Sequence, residues 1–394
     1  MAKIMVIKEP GEDGVPFLRG ILVQSLLSAG LSFQDAYATA QAVRNSLGNN
    51  DIVTTPALKA IVAAQLGREF GPKIRGNYET GAEHKPALTV ISDRGKRRFS
   101  IGMLTRSLEA CAIDTEFASD IAQRVHETIK KSGQSEIESA ALRRIIYHSL
   151  KEHCSSRTAN YYLSRRRFEI SGEPLIILVG GTSGTGKSTV SKELAYRLGV
   201  VRTQSTDMMR EIIRCYLPPH LVPTLGYSSF DAWRGLPPLE MPNGQRTGDN
   251  QVIAGFLAQC ANVESALNAT IARAAKEQHD IIIDGVHVVP TEINLAEFGK
   301  KAISVPVMLA VTNKQRLVDQ LSWRSSEQPD RHSSRYLEQI DAIWELQSFL
   351  LKRAEEANIP IIANWEIEDT IRNILDKVNR NISERHPPDP AILG

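Results

Sequence analysis

From Pro174 onward, short apolar runs recur with helix-period stretches between them: LIILV (175–179), DIIID (280–284), SVPVMLAV (304–311) and IPIIA (359–363). A further β run is read at VVRTQST (200–206). Runs this short, separated by helical segments, predict strands buried on both faces of a parallel sheet with helices covering it. The first 170 residues follow another rule. FLRGILVQSLLSAGLSFQDAYATAQAV (Phe17–Val43) aligns with FSIGMLTRSLEACAIDTEFASDIAQRV (Phe99–Val125) at a constant offset of 82, with nine of 27 positions identical. Phe17/Phe99, Gly20/Gly102, Leu22/Leu104, Ser25/Ser107 and Leu26/Leu108 are among them. Each copy follows a strand-like run, KIMVIK or ALTVIS, breaks near Gly30 or Ile113, and opens a second helix. Two copies are too few for a solenoid. They predict two related modules, each a short strand pair with several helices.

The second module continues through IESAALRRIIYHSLKEH and SRTANYYLSRRRF, and EISGEP (169–174) reads as a linker. The expected division is a module over 1–80, a second over 86–170, an α/β domain over 174–380 and a flexible tail over 381–394. One segment breaks the rhythm. Leu217–Asn250 holds six prolines and no sustained periodicity. Its Tyr227, Phe230 and Trp233 predict a segment that folds over a site.

Composition narrows the partners. The 394 residues carry a formal net charge of +2, 42% hydrophobic and 23% charged residues. That balance gives no general electrostatic reason for nucleic acid or an acidic membrane as partner. The clusters RGKRR (94–98) and RRR (165–167) read as solvated faces. Cys111, Cys154, Cys215 and Cys260 are scattered without a CxxC, so neither metal-site spacing nor a disulfide framework is expected. No signal-peptide pattern or membrane-length apolar run is seen, and a reducing cytoplasm is the expected compartment.

Four motifs carry candidate chemistry. Gly181-Thr182-Ser183-Gly184-Thr185-Gly186-Lys187-Ser188 fits G-x-x-x-x-G-K-[ST], follows a strand and, with Thr189, opens a helix. Such a loop turns backbone N–H groups toward phosphate oxygens and adds the helix's positive end. Lys187 would reach the β/γ-phosphates and Ser188 would ligate Mg²⁺. Next, Asp284 ends an apolar strand, where it either holds the metal shell or caps the next helix; His287 either lines the pocket or packs beneath it. Third, STDMMREIIR (205–214) places Asp207 at a helix start, to cap it or to orient and deprotonate an acceptor hydroxyl. Arg210 and Arg214, spaced i, i+4, share a face suited to an anionic acceptor. Fourth, Arg324, Arg331 and Arg335 surround a polar break between two helices and predict a lid whose arginines swing over developing charge. Which of the three acts is open.

Together the phosphate loop, STDMMREIIR, SSFDAW, IIIDGVHVVP and the stretch from Arg324 through YLEQIDAIWELQSFLLKRAEEANIPIIAN resemble the 2-phosphoglycerate kinase family, over most of 174–378. The resemblance implies a P-loop kinase fold like that of nucleoside monophosphate kinases, with a five-stranded parallel sheet and a lid. It implies ATP and Mg²⁺ as cofactors, and transfer of the γ-phosphoryl group to the hydroxyl of 2-phosphoglycerate. TDMMR is similar to the acceptor-site stretch of adenylate kinases, which supports Arg210 as a ligand of the acceptor's phosphate. Tyr227, Trp233, His287 and Arg335 are expected to contact substrate with Asp207, Arg210 and Arg214; Lys187, Asp207, Arg324 and Arg331 are the expected catalytic groups. The repeats resemble ATP-cone modules. At the turn where such modules carry Lys-Arg-Asp-Gly, this chain reads KEPGEDG and SDRGKRR. A homo-oligomer through these modules is compatible with the reading. Two alternatives stand beside it: a kinase for an inositol phosphate or nucleotide, with Arg234 and Arg246 adding positive charge, and an ATP-gated adaptor.

Overall fold

The sequence repeat becomes a structural one. Strand β1 (Met5–Ile7) pairs antiparallel with β2 (Val15–Pro16) and parallel with β3 (Ile52–Thr54). Helices α1 (Arg19–Ser28), α2 (Phe33–Ser46), α3 (Thr55–Glu69) and α4 (Gly71–Glu79) complete this part. A second three-stranded sheet repeats the order: β4 (Thr89–Ser92) lies between β5 (Gly95–Arg98) and β6 (Glu136–Glu138). Its helices are α5 (Ile101–Glu109), α6 (Thr115–Lys131), α7 (Ser139–His153) and α8 (Ser156–Ser171). A computed structural model describes residues 4–7, 15–17, 19–47, 52–79, 88–93, 95–237, 251–293, 299, 301–327 and 333–394. They cluster as two compact units, one of Met1–Thr89 with Lys96–Phe99, the other of Val90–Gly95 with Ser100–Gly394.

The repeat positions explain the first helix pair in each copy. Gly30 (φ +102°) and Ala112 (φ +63°) both turn left-handed between the two helices. Ser32 and Asp114 then cap α2 and α6 by accepting from Asp35 and Glu116 backbone N–H groups. Leu22, Leu26, Ala36, Ala40 and Val43 are buried in one copy, and Leu104, Leu108, Ala118, Ala122 and Val125 in the other.

Beyond α8, which Gly172 ends in a left-handed turn at φ +69°, the five strands expected from the apolar runs form one sheet. They are β7 (Leu175–Gly180), β8 (Arg202–Ser205), β9 (Ile281–Gly285), β10 (Ile303–Ala310) and β11 (Ile361–Ala363). The order is β11-β10-β7-β9-β8 and every pair is parallel. Connecting helices are α9 (Lys187–Leu198), α10 (Thr206–Tyr216), α11 (Gln251–Glu277), α12 (Lys314–Glu327), α13 (Ser333–Glu338), α14 (Ile340–Glu356) and α15 (Ile367–Arg385).

Strand β7 shows why its run reads apolar throughout. Leu175, Ile177 and Val179 pack with Val190 and Leu194 of α9 and with Ile371, Leu375 and Val378 of α15. Ile176 and Leu178 face the other way, onto Val263, Leu267 and Ile271 of α11. Both faces of the strand are therefore core. Because the chain leaves β7 towards β8 on one side and leaves its neighbour β10 towards β11 on the other, the C-terminal ends of these two strands form a switch point, where α/β proteins bind ligands.

The tail expected to be flexible is docked instead. After α15, Pro390–Leu393 forms a 3₁₀ turn with Leu393 buried. Arg143 Nε donates to Ile392 O at 2.9 Å, and Arg144 Nη1 to Gly394 O at 2.7 Å. Asp389 caps the turn by accepting from Ala391 N at 2.9 Å. One buried leucine and two arginine contacts hold what its polar, proline-rich composition predicts to be loose.

Candidate active site

The phosphate loop joins β7 to α9 in a form only glycine allows. Gly181, Gly184 and Gly186 have φ of +143°, +84° and +82°. A Cβ at Gly181 would come within 2.8 Å of Leu309 O and one at Gly184 within 2.6 Å of Leu317 Cδ1. At Gly186 it would strike Asn364 Nδ2. The loop is further pinned by Thr185 Oγ1 donating to Thr182 O at 2.9 Å and Asn364 Nδ2 donating to Thr185 O at 2.9 Å. Thr370 Oγ1 in turn donates to Asn364 Oδ1 at 2.9 Å. Lys187 Nζ reaches back across the loop to Thr182 O at 2.6 Å. The Thr182 hydroxyl oxygen is buried without a hydrogen-bond partner. A glycine-only backbone, an ammonium over it and an unmatched buried hydroxyl fit a polyphosphate chain.

Asp284 stands on the side of the loop expected to hold the metal. The register sets it beside Val179 of β7 and Ser205 of β8. Its Oδ2 accepts from Ser188 Oγ at 2.9 Å, which joins the two residues expected to share the metal shell. Burial raises the carboxyl pKa, while the Ser188 hydrogen bond and the Lys187 charge oppose that shift. Among the described residues no group of three or more His, Cys, Asp or Glu side chains could hold a metal.

The side expected to take the acceptor begins on α10, whose N-cap Ser205 accepts from Asp207 N. Asp207 is exposed in the first turn and Arg210 is largely buried one turn on. Arg210 donates through Nη1 to Tyr227 O and through Nη2 to Glu211 Oε1 at 2.7 Å. Arg214 lies further out and pairs with Glu211 Oε2 at 2.6 Å, so one carboxylate bridges the expected arginine pair. The described part of the proline-rich segment does fold. It makes 3₁₀ turns at Pro223–Gly226 and Ala232–Gly235, and Phe230 is buried with Leu317, Leu321 and Ile343. Tyr227 contributes its backbone carbonyl, and Trp233 sits under the Arg234 guanidinium at 5.2 Å.

Two expected substrate contacts are placed otherwise. His287 packs beneath the site: it is 4% exposed, stacks on Phe256 at 6.0 Å, and both ring nitrogens are hydrogen-bonded. Arg335 is committed to buried Asp231, which accepts from its Nε at 3.1 Å and Nη2 at 2.8 Å. Asp231 also accepts from Arg234 Nε at 3.1 Å. Arg335 thus bolts α13 to the folded segment. Arg331 and Arg246 lie outside the described residues, as does the Arg324 side chain.

The structure adds groups that sequence reasoning missed. Asn364 clamps the loop from a position 179 residues away. Arg316 lies over the Trp365 ring at 4.7 Å beside it. Gln259, fully buried on α11, links His287 to the folded segment. Its signal was a polar residue in a stripe otherwise made of Phe256, Cys260, Val263 and Leu267.

Sheet order, phosphate loop and the Ser188–Asp284 pair define a P-loop phosphotransferase acting on a small molecule. The chain belongs to the 2-phosphoglycerate kinase family. It is 34% identical over 292 residues to 2-phosphoglycerate kinase of Pyrococcus horikoshii, spanning 74% of this chain and 93% of that protein. It is 36% identical over 293 residues to that of Pyrococcus furiosus, again with 74% and 93% covered. With the Methanopyrus kandleri enzyme it shares 33% over 296 residues, spanning 75% of this chain and 88% of the relative. Residues 89–169 match the ATP cone domain family. No described helix is long and apolar enough to cross a membrane.

Proposed function

We propose that this chain transfers the γ-phosphoryl group of ATP to the free hydroxyl of 2-phosphoglycerate, giving 2,3-diphosphoglycerate, with Mg²⁺ held by Ser188 and Asp284. The observation that carries the reading is the pairing of Ser188 with Asp284 at 2.9 Å beneath a glycine-only phosphate loop, with Arg210 held inward on the neighbouring helix. Relatives that align over nine-tenths of their length are 2-phosphoglycerate kinases. Bound ATP with its metal supplies the phosphoryl group and part of the charge neutralisation.

This chain's own residues do the rest. Backbone N–H groups of 181–189 and the α9 N-terminus hold the triphosphate, and Lys187 follows charge onto the transferring group. Arg210, with Arg214, grips the acceptor's phosphate or carboxylate after exchanging Glu211 for it. Asp207 orients the acceptor hydroxyl and takes its proton as the new O–P bond forms and the β–γ bridge oxygen leaves. The transition state is loose, so positioning and electrostatics supply most of the rate.

An ADP-release assay over phosphorylated C3 acids, inositol phosphates and nucleoside monophosphates tests the acceptor. Turnover with 2-phosphoglycerate is expected; turnover only with another class, or ADP release indifferent to acceptor, overturns the assignment. Lys187→Ala should lower kcat by at least about 10²–10³-fold, the scale for losing one preorganised donor. Near-normal turnover in that variant would mean the phosphates bind elsewhere.

A further inference from the structure

Under the acceptor side, buried polar groups connect end to end. Gln259 donates from Nε2 to the carbonyls of Thr224 at 2.6 Å and Tyr227 at 3.0 Å. Carbonyls only accept, so the amide nitrogen must face them, and Oε1 is left facing His287 Nε2 at 2.9 Å. An amide oxygen cannot donate. His287 therefore carries its proton on Nε2 and offers Nδ1 to the Thr206 hydroxyl at 3.0 Å. The direction of every bond in the chain is fixed by one amide. Burial lowers the His287 pKa to about 4, which keeps the ring neutral as this arrangement requires.

Both ends of the chain reach groups that face the acceptor. Thr206 is the residue before Asp207 and opens α10. The Tyr227 carbonyl is also the rest for Arg210 Nη1. The Thr206 side chain lies against the Gly285 backbone, and α11 lies against the folded segment at Trp233. A Cβ on Gly285 would run into Thr206 Oγ1, and one on Gly255, a turn before Gln259, would run into Trp233 N. An apolar filling of this core would avoid desolvating a glutamine and a histidine. A fully satisfied polar chain instead specifies one arrangement of the groups it joins.

We propose that Gln259 is a positioning residue for the phosphorylated acceptor. It fixes the Tyr227 carbonyl and, through His287, the Thr206 hydroxyl, and so sets where Arg210 and Asp207 stand. The inference rests on the reading of Arg210 as the ligand of the acceptor's anion.

Steady-state kinetics on the full chain test it, with KM for 2-phosphoglycerate and KM for ATP measured separately. Gln259→Met keeps the length and removes both donors and the acceptor. It should raise KM for 2-phosphoglycerate about tenfold, the scale for unpairing buried polar groups, with KM for ATP within about twofold of the parent. Thr206→Val should act the same way, and Thr206→Ser, which keeps the hydroxyl, should restore the parent value. Thr206→Val is nearly isosteric with the parent and remains decisive where Gln259→Met fails to fold. A uniform rise in both KM values, or a drop in melting temperature with both unchanged, overturns the proposal and leaves the chain a structural one. Arg210→Lys is the control for the underlying reading. If it leaves acceptor KM unmoved, that reading falls and takes this inference with it; if it alone raises acceptor KM, only the role of Gln259 is wrong.

Discussion

The two N-terminal modules are built on the same helix pair yet end in different company. Leu26 and Leu108 are both fully buried, and a left-handed residue precedes the second helix in each. The first module clusters as its own unit, whereas α5–α8 of the second cluster with the phosphotransferase sheet. The repeated positions do not account for this. The last helix does. In the first module α4 is nine residues long and buries none of them. In the second, α8 runs 16 residues and buries Tyr161, Tyr162, Leu163, Arg165 and Phe168. Phe168 joins the core under β7, Tyr161 and Arg157 reach Asp376 at 2.9 and 2.5 Å, and Asn379 donates to Ala110 O at 2.9 Å. A shared core pattern thus specifies the module, and the surface of one helix specifies what it becomes part of.

Truncation should separate the modules most sharply. Removing residues 1–85 should leave the melting of the phosphotransferase unit and its turnover close to those of the full chain. Removing 1–171 strips Phe168 and the Arg143 and Asn379 contacts; a buried Phe alone is worth about 3–5 kcal/mol. That truncation should be insoluble or melt far lower, as differential scanning calorimetry would read. Equal melting for both truncations would erase the distinction.

Leu26→Ala and Leu108→Ala make the same cut at equivalent sites, each expected to cost about 2–5 kcal/mol. Hydrogen exchange should confine the first loss to the first module. The second should spread to α9 and α15. Spread in both, or in neither, argues against the difference.

Alkali provides a smaller probe. Burial raises the Cys111 thiol pKa to about 11 and the Tyr162 phenol pKa to about 12. Unfolded thiol and phenol ionise near 9 and 10, so the unfolded state loses protons first and stability falls as pH rises through about 9 to 12. At roughly 1.4 kcal/mol per pKa unit, the second unit should lose a few kcal/mol across that range. Cys111→Ala and Tyr162→Phe should flatten the dependence seen in alkaline melts. Smallest of all is Arg157→Ala: its pair with Asp376 is solvent-exposed, so the cost should stay below about 1 kcal/mol and shrink in high salt.

The site divides along the same line between local and distant information. The phosphate loop is legible because its nine residues are contiguous and their chemistry is carried by glycine and one lysine. Asp284 is legible because it ends an apolar strand. Arg335 reads as a lid arginine, and its commitment to Asp231, 104 positions away, is invisible in a string of residues. Whether His287 lines the pocket or lies beneath it depends on which helix covers that strand end, and α11 covers it with Phe256 and Gln259.

The sequence by itself determined the five strands, the duplicated module and the phosphate cradle, since periodicity and glycine's backbone freedom act over neighbouring residues. Only the tertiary structure decided that the tail is docked, that the second module joins the phosphotransferase core, and that Arg210 rests on a carbonyl held by Gln259. Those outcomes depend on which side chains, far apart in the chain, satisfy each other's hydrogen bonds once water has been excluded between them.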